Sequence, residues 1–200
     1  VCTEAGKRRT AAPASAQQWE RSFHQLQGVW SAGDQASSVQ LRGGRTLWLF
    51  GDTLQTLDAA GGVHGEPGHR ALPVGQRPAS QRLVHNTVVL ADGCLVPVAG
   101  PGGSSFLPDV DADTWYWPGH AVADGDTVTM TATVVDRTGP GPFDFVASGD
   151  AIAVVRAPAG ALPQLVSITR VHDGLTPTAV VWGAAIARHA GWTYVYGTRT

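Results

Sequence analysis

Residues 33–53 read GDQASSVQLRGGRTLWLFGDT, and this stretch decides the fold because it encodes a hairpin. Two short runs of strand-forming residues, Ser37–Leu41 and Thr46–Phe50, flank a Gly43-Gly44 pair that suits a tight turn. The second run is apolar at successive positions, as expected of a strand that is buried on both faces. The stretch therefore predicts antiparallel β-structure.

An aspartate stands at each open end of this hairpin, Asp34 before the first strand and Asp52 after the second. Residues that face each other across a hairpin lie about 5–8 Å apart, which overlaps the roughly 5–9.5 Å between the two carboxyl groups of glycosidases. A strict two-residue turn would pair Asp34 with Thr53 and put the two acids on opposite faces, whereas a bulge or a three-residue loop would align them. The sequence alone leaves both registers open.

The composition excludes several classes of partner. The chain has 200 residues with 25 Gly, 13 Pro and 15% charged side chains, which fits one domain or part of one. Its formal charge of −2, from 14 basic and 16 acidic residues, provides no basic field of the kind that binds nucleic acid or an anionic membrane. No apolar run approaches the roughly 20 residues needed to cross a bilayer. We expect a protein that is soluble or peripherally attached.

Cys2 and Cys94 are the only cysteines, and in an exported protein they can form a disulfide. The sequence begins without a methionine and without a signal peptide, so it looks processed, and Cys2 can instead be a lipid-anchored residue. The disulfide is the favoured of the two interpretations.

Four hairpin-like units recur along the chain, each with polar or aromatic residues followed by a strand, a turn and a second strand. The units span Asp34–Thr53, His85–Val98, Trp117–Val135 and Trp182–Gly197, and further strands are predicted at Ala151–Arg156 and Leu165–Val171. Repeated short antiparallel strands without a βαβ pattern are typical of a β-propeller. A two-sheet sandwich is the alternative.

This reading gives two regions. Residues 1–28 are predicted to be a flexible leader that ends in a docking segment, where Trp19, Phe23 and Leu26 stand at helical spacing. Residues 29–200 are predicted to form part of a propeller, about its first three to four blades. The fourth unit has only its first hairpin before Thr200, so we expect the sequence to be truncated.

Several of these segments resemble a known family, the secreted actinobacterial five-bladed propellers formerly grouped as a domain of unknown function. The resemblance rests on Val29-Trp30, Gly33-Asp34, Ser37-Ser38, the Phe-Gly-Asp-Thr signature at Phe50–Thr53, His85-Asn86-Thr87, Trp115–Pro118 and Tyr194–Gly197. It covers roughly residues 30–200. Members of that group are linked to endo-acting hydrolysis of D-arabinan in mycobacterial cell walls. The resemblance implies an extracytoplasmic protein with Asp34 and Asp52 as the acidic pair of the funnel.

Other residues that open the units are candidates for binding a sugar. Histidine and asparagine can hydrogen-bond sugar hydroxyls or tune a neighbouring acid, and aromatic rings can stack on the apolar face of a sugar. The candidates are His85, Asn86, Trp115, Trp117, His120 and Trp182. A solvent-facing loop position for the histidines and a core position for the tryptophans are the alternatives, and we expect only one of Trp115, Tyr116 and Trp117 in the site.

No metal or cofactor is predicted, although the sequence leaves open whether an ion lies on the axis of a propeller. Asp109, Asp111 and Asp113 alternate in a loop, but a calcium loop needs more oxygen donors at fixed spacing and a glycine turn, so solvated loop acids are the better interpretation. The sequence has no zinc-type Cys/His spacing, no phosphate-binding Gly-Lys-Ser motif and no Gly-x-Ser-x-Gly elbow.

The leading hypothesis is an exported glycosidase of propeller fold that acts on a cell-envelope polysaccharide, with an endo-D-arabinanase as its sharpest form. A non-catalytic carbohydrate-binding propeller and a structural module of a larger assembly are the alternatives. The sequence leaves open the sugar, the stereochemical outcome and the oligomeric state.

Overall fold

The computed structural model describes residues 15–24, 26, 30–57, 80–173 and 180–199. Within these ranges the chain is almost entirely antiparallel β-sheet, with one α-helix, α1 (Ala16–His24). The prediction of an all-β fold is confirmed. Of the predicted leader at residues 1–28, residues 1–14 with Cys2 lie outside the described residues, while Cys94 is disulfide-bonded.

Thirteen strands are present in the described part of the chain. They are β1 (Trp30–Gly33), β2 (Ser37–Gln40), β3 (Thr46–Phe50), β4 (Thr53–Leu57), β5 (Ser80–Val84), β6 (Thr87–Ala91), β7 (Leu95–Val98), β8 (Thr114–Asp124), β9 (Thr127–Arg137), β10 (Phe145–Arg156), β11 (Gln164–Asp173), β12 (Val180–His189) and β13 (Trp192–Arg199). No helix among the described residues is long and apolar enough to span a membrane.

The first two predicted hairpins form and join into one four-stranded sheet, in the order β2-β3-β6-β7. They are therefore not the starts of two separate blades, which corrects the expected arrangement. The reason is the apolar character of β3, which pairs with β6 from Thr46 opposite Ala91 to Phe50 opposite Thr87. Its alternating side chains serve two cores, Leu47 and Leu49 on one face and Trp48 and Phe50 on the other.

The third and fourth predicted hairpins are confirmed as β8–β9 and β12–β13. Strands β8 to β11 form a second four-stranded sheet in chain order, and β12 and β13 form a two-stranded sheet. Residues 127–134 of β9 alternate between threonine and apolar residues, and the apolar side chains Val128, Met130 and Val134 are buried. Thr131 departs from the pattern because it is also buried, and its hydroxyl bonds the backbone of β8.

The first strands of these three sheets are β2, β8 and β12. They lie next to one another, because β8 contacts both β2 and β12. The hydroxyl of Ser37 on β2 donates a hydrogen bond of 2.6 Å to the carbonyl oxygen of Gly119 on β8. Successive sheets that meet through their first strands are what a propeller requires. This contact favours the propeller, which stays a prediction.

A three-stranded sheet of order β1-β4-β5 continues from the first sheet, because β4 follows β3 after only two residues. Helix α1 packs on β3 of the first sheet, with Trp19 and Phe23 against Trp48 and Phe50 in an aromatic cluster. Leu26 is fully buried in the same cluster. The predicted helical docking segment is therefore present at Ala16–His24.

We predict that Gly119→Ala destabilises the pairing of β8 with β9. A Cβ atom at Gly119 would lie 2.5 Å from Oγ1 of Thr131 on β9, so this hydroxyl group would have to move away from the backbone of His120, to which it is hydrogen-bonded. Overpacking of this kind costs about 1–3 kcal/mol, measured as the free energy of unfolding in urea.

The double variant Gly119→Ala/Thr131→Ala tests the cause. Removing the hydroxyl removes the clash, so the double variant should lose less stability than the sum of the single variants. Additive losses would show that the Thr131 hydroxyl is not what limits a side chain at Gly119.

Candidate functional site

The turn between β2 and β3 determines the register of the hairpin. It is a three-residue loop, Arg42–Gly44, in which Gly43 and Gly44 have φ of 76° and 74°, values that glycine adopts without strain. The N–H of Leu41 donates to the carbonyl oxygen of Arg45 and closes the loop. Of the two registers left open by the sequence, this is the one that aligns the two aspartates.

Asp34 and Asp52 meet at the junction between the first sheet and the three-stranded sheet. The N–H of Asp34 donates to the carbonyl oxygen of Asp52 at 3.1 Å, and the N–H of Gly51 donates to the carbonyl oxygen of Asp34 at 3.0 Å. The flanking pairs, Gly33 with Thr53 and Ser37 with Leu49, are in one register, so Asp34 and Asp52 stand directly opposite each other. The predicted pair is brought together.

Gly51 leaves the space that the Asp34 carboxyl occupies, since a Cβ atom there would lie 2.5 Å from Oδ1 of Asp34. Asp34 is exposed as a residue, but this packing shields part of its carboxyl group. Burial, followed by Coulombic repulsion from Asp52, raises the pKa of Asp34 above its ordinary value of 3.8, and backbone hydrogen bonds partly oppose the rise. Asp34 therefore keeps its proton to a higher pH than an ordinary aspartate.

Asp52 is half-buried and is held from the second sheet. The indole Nε1 of Trp117 on β8 donates a hydrogen bond of 2.9 Å to Oδ1 of Asp52. The Trp117 ring is itself fixed by Phe145, whose ring meets it edge-on at a centroid distance of 5.0 Å. Trp117 is partly exposed, so part of its ring is accessible beside the two carboxyl groups.

His85 lies in the same row as the two acids. The pairing of Thr53 with Val84 and of Phe50 with Thr87 on either side places His85 opposite Asp52. Its ring stacks on Trp115 at 4.3 Å with an interplanar angle of 16°, and Trp115 contacts Trp117 edge-on. The row Asp34, Asp52, His85 thus runs across three neighbouring segments of the sheet.

Two of the predicted sugar-binding residues serve the interior instead. Asn86 is fully buried, and its side-chain amide donates to the carbonyl oxygens of Leu107 and Tyr116 and accepts from the N–H of Leu107. Trp115 is only 3% exposed, covered by His85, Phe145 and Arg137. Because neither side chain is accessible to a ligand, the prediction that they bind substrate is corrected, and Trp117 is the aromatic residue that remains in the site.

Neither His120 nor Trp182 contacts the acidic pair. His120 is exposed on β8 at an irregularity in the pairing with β9, and Trp182 is 42% exposed on β12. Among the described residues no hydrogen bond or ring contact joins either side chain to Asp34 or Asp52. Their role in substrate binding stays a prediction.

The three loop aspartates do not converge on one point. Asp109 accepts a hydrogen bond from Nδ1 of His85, Asp111 accepts one from the N–H of Asp113, and Asp113 pairs with Arg137. Within the described ranges no group of three or more His, Cys, Asp or Glu side chains is placed to hold a metal ion. The pairing of Asp109 with His85 was not predicted, because the two residues are far apart in the sequence and no local pattern joins them.

Comparison with known proteins gives a family and a fold. The model of a family described as a domain of unknown function, DUF5005, matches residues 16–200, and no curated protein matches the chain. Among solved structures, the chain is similar to a protein from Bacteroides ovatus ATCC 8483 described as a "putative hydrolase", with a TM-score of 0.62 and 16% sequence identity. The match covers 90% of this chain and 49% of that one, so this chain spans about half the length of its structural neighbour. At this identity the likeness shows the fold alone.

We predict that Asp34→Asn stabilises the protein at neutral pH and not in acid. The raised pKa means that the charged form of Asp34 is disfavoured in the native state, so the charge lowers stability above the folded pKa. Below the ordinary value of 3.8 the carboxyl group is protonated in both states and the cost disappears. The gain at pH 7 should be less than about 1 kcal/mol, because solvent screens an exposed carboxyl group.

Urea unfolding at about pH 7 and about pH 2.8 measures this difference, since about one pH unit below the ordinary pKa of 3.8 the carboxyl group is mostly protonated in both states. Glu20→Gln, which removes one negative charge from the exposed side of α1, is the matched control. An equal gain for Asp34→Asn at both pH values, or a gain for Glu20→Gln of the same size, would contradict the electrostatic cause.

Proposed function

Since this chain belongs to the DUF5005 family, whose description names no activity, we propose from its site that it is a glycoside hydrolase acting on a polysaccharide. The observation that carries the proposal is the alignment of Asp34 and Asp52 at one junction, where the pKa of Asp34 is raised and Asp52 is held by Trp117. Glycosidic cleavage needs two carboxyl groups, one that gives a proton and one that is ionised.

In this proposal Asp34 is the general acid. Its raised pKa keeps a proton on the carboxyl group for transfer to the oxygen of the leaving sugar. Asp52 is the partner carboxylate, and the hydrogen bond from Trp117 fixes the rotamer in which it faces the reacting carbon. Trp117 then orients Asp52 and offers part of its ring to the sugar.

The spacing of the pair favours a retaining mechanism. Side chains directly opposite across antiparallel strands start from Cβ atoms about 4.5–5.5 Å apart, close to the roughly 5–5.5 Å of retaining glycosidases and shorter than the roughly 6.5–9.5 Å of inverting ones. Asp52 would attack the anomeric carbon as the leaving oxygen takes the proton of Asp34. Asp34 would then remove a proton from the water that releases the sugar from Asp52.

The finer parts of the proposal rest on the family resemblance of the sequence. The Phe-Gly-Asp-Thr signature at residues 50–53 supports a cell-envelope arabinan as substrate, a five-bladed propeller as the complete fold and an actinobacterial source. The disulfide at Cys94 supports an extracytoplasmic location, because disulfides persist in oxidising compartments. The description of the structural neighbour as a "putative hydrolase" is in keeping with a hydrolytic role.

A non-catalytic carbohydrate-binding protein is the second candidate. The observation in its favour is Trp117, a partly exposed aromatic ring beside polar groups, which suits a sugar whether or not the sugar is cut.

Asp34→Asn and Asp52→Asn separate the two candidates. In the enzyme, each variant should lose turnover by at least about 100-fold, because each removes a proton-transfer or nucleophilic group, while binding of arabinan in affinity electrophoresis is retained. Asp111→Asn, on an exposed loop, is the control and should keep full activity. A wild-type protein that binds arabinan but releases no reducing ends from a broad glycan panel would support the binding protein.

Trp117→Phe tests how Asp52 is held. The variant keeps an aromatic ring but loses the N–H that donates to Asp52, so we expect kcat to fall about tenfold, the equivalent of one hydrogen bond of about 1.4 kcal/mol, with KM nearly unchanged. Trp117→Ala should in addition raise KM. Trp192→Phe serves as the control for an exposed tryptophan. An unchanged kcat in Trp117→Phe would show that the hydrogen bond does not orient Asp52.

A further inference from the structure

The loop at residues 109–113 holds two side chains that flank Trp115. Oδ2 of Asp109 lies 3.0 Å from Nδ1 of His85, and Oδ1 of Asp113 lies 3.5 Å from Nε of Arg137. The His85 ring stacks on Trp115 at 4.3 Å, and the Arg137 guanidinium carbon lies 5.5 Å from the centre of the same ring. His85 is therefore fixed from two directions, by Asp109 of the loop at its ring nitrogen and by Trp115 of β8 on its ring face.

The contact with Asp109 determines which nitrogen of His85 carries the proton. An ionised carboxylate only accepts hydrogen bonds, so Nδ1 is the donor. In the neutral ring Nε2 is then the acceptor. Among the described residues Nε2 of His85 has no hydrogen-bond partner, and the side chain is 21% exposed.

The position of His85 places this acceptor beside the acidic pair. His85 lies opposite Asp52 in the strand register, and a chain of ring contacts through Trp115 and Trp117 joins it to the Asp52 carboxylate. The charged groups around it are Asp109 on the loop, Asp52 across the sheet and Arg137 over the Trp115 ring.

We propose that Asp109 is a positioning residue that keeps the proton of His85 on Nδ1, so that Nε2 accepts a hydrogen bond from a hydroxyl group of the sugar bound over Asp52. This inference rests on the proposed function, and it defines the ligand further as a sugar unit with a free hydroxyl at that point. A site built to pair with a hydroxyl discriminates strongly against a sugar that lacks it, because the acceptor would be covered by the sugar and left unpaired.

The tautomer is tested first, without any substrate. In ¹⁵N-labelled protein at a pH where His85 is neutral, long-range ¹H–¹⁵N correlation spectra should show the Nδ1–H tautomer in the wild type and in Asp111→Ala. Asp109→Ala should shift His85 towards the Nε2–H tautomer that free imidazole side chains prefer. A wild-type ring protonated at Nε2, or a tautomer unchanged in Asp109→Ala, would overturn the inference.

Binding and turnover of arabinan test the use of Nε2. Asp109→Ala should raise KM about tenfold, the equivalent of one hydrogen bond, whereas Asp111→Ala should leave it unchanged. His85→Gln, which offers Oε1 near the place of Nε2, should retain more affinity than His85→Ala. In the His85→Gln background Asp109→Ala should have no further effect on KM, because Asp109 is proposed to act only through the tautomer of the His85 ring.

The two hypotheses fail differently. If the wild type cuts arabinan and Asp109→Ala behaves like Asp111→Ala, the positioning role is wrong and the hydrolase stands. If the wild type binds arabinan without cutting it, the hydrolase is wrong, and the change in binding affinity in Asp109→Ala still decides the positioning role. If no member of a broad glycan panel that includes arabinan is bound or cut, both the proposed function and the sugar contact of Nε2 are wrong.

Discussion

The antiparallel pairing of one continuous segment, Thr46–Leu57, with its two neighbours is the constraint on which the site depends. This segment contains β3 and β4 and is interrupted only at Gly51 and Asp52. On one side it pairs with β2 and β1, and on the other with β6 and β5. Because ladders on both sides of the interruption fix the register, the side chain of Asp52 has Asp34 on one side and His85 on the other.

The interruption has a structural cost that the surrounding packing offsets. At Gly51 the ladder hydrogen bonds become irregular, and the Asp34 carboxyl group occupies the space above the glycine. The Thr53 hydroxyl donates to the carbonyl oxygen of Gly51 and is hydrogen-bonded to the Thr87 hydroxyl. These two bonds stabilise the irregular backbone at Gly51. Buried leucines and valines on one face and an aromatic cluster on the other keep the strands together. An irregular, polar junction can persist because it is enclosed by two well-packed cores.

Local sequence signals predicted the hairpins, whereas the register of the acidic pair and the burial of individual side chains depend on features that a local pattern does not show. Gly43-Gly44 and Asp124-Gly125 mark turns through their own backbone preferences, so β2–β3 and β8–β9 could be predicted from the residues themselves. The alignment of Asp34 with Asp52 depends on whether the loop has two or three residues, which the sequence does not determine. The burial of Asn86 depends on Leu107 and Tyr116, which are distant in the chain. Such partners have no periodicity that a sequence pattern can show.

The electrostatics of the acidic pair support the proposal of a catalytic role over that of simple binding. A surface that only binds a neutral sugar gains nothing from a carboxyl group whose burial, followed by repulsion from Asp52, raises its pKa, because an amide or a hydroxyl would accept and donate the same hydrogen bonds without that cost. Proton transfer, in contrast, requires one group that holds a proton and a neighbour that does not. The structure places the shielded carboxyl group at Gly51 and the oriented one at Trp117, so the two acids have different surroundings despite their common position in the sheet. That difference is the property a pair of catalytic carboxyl groups needs.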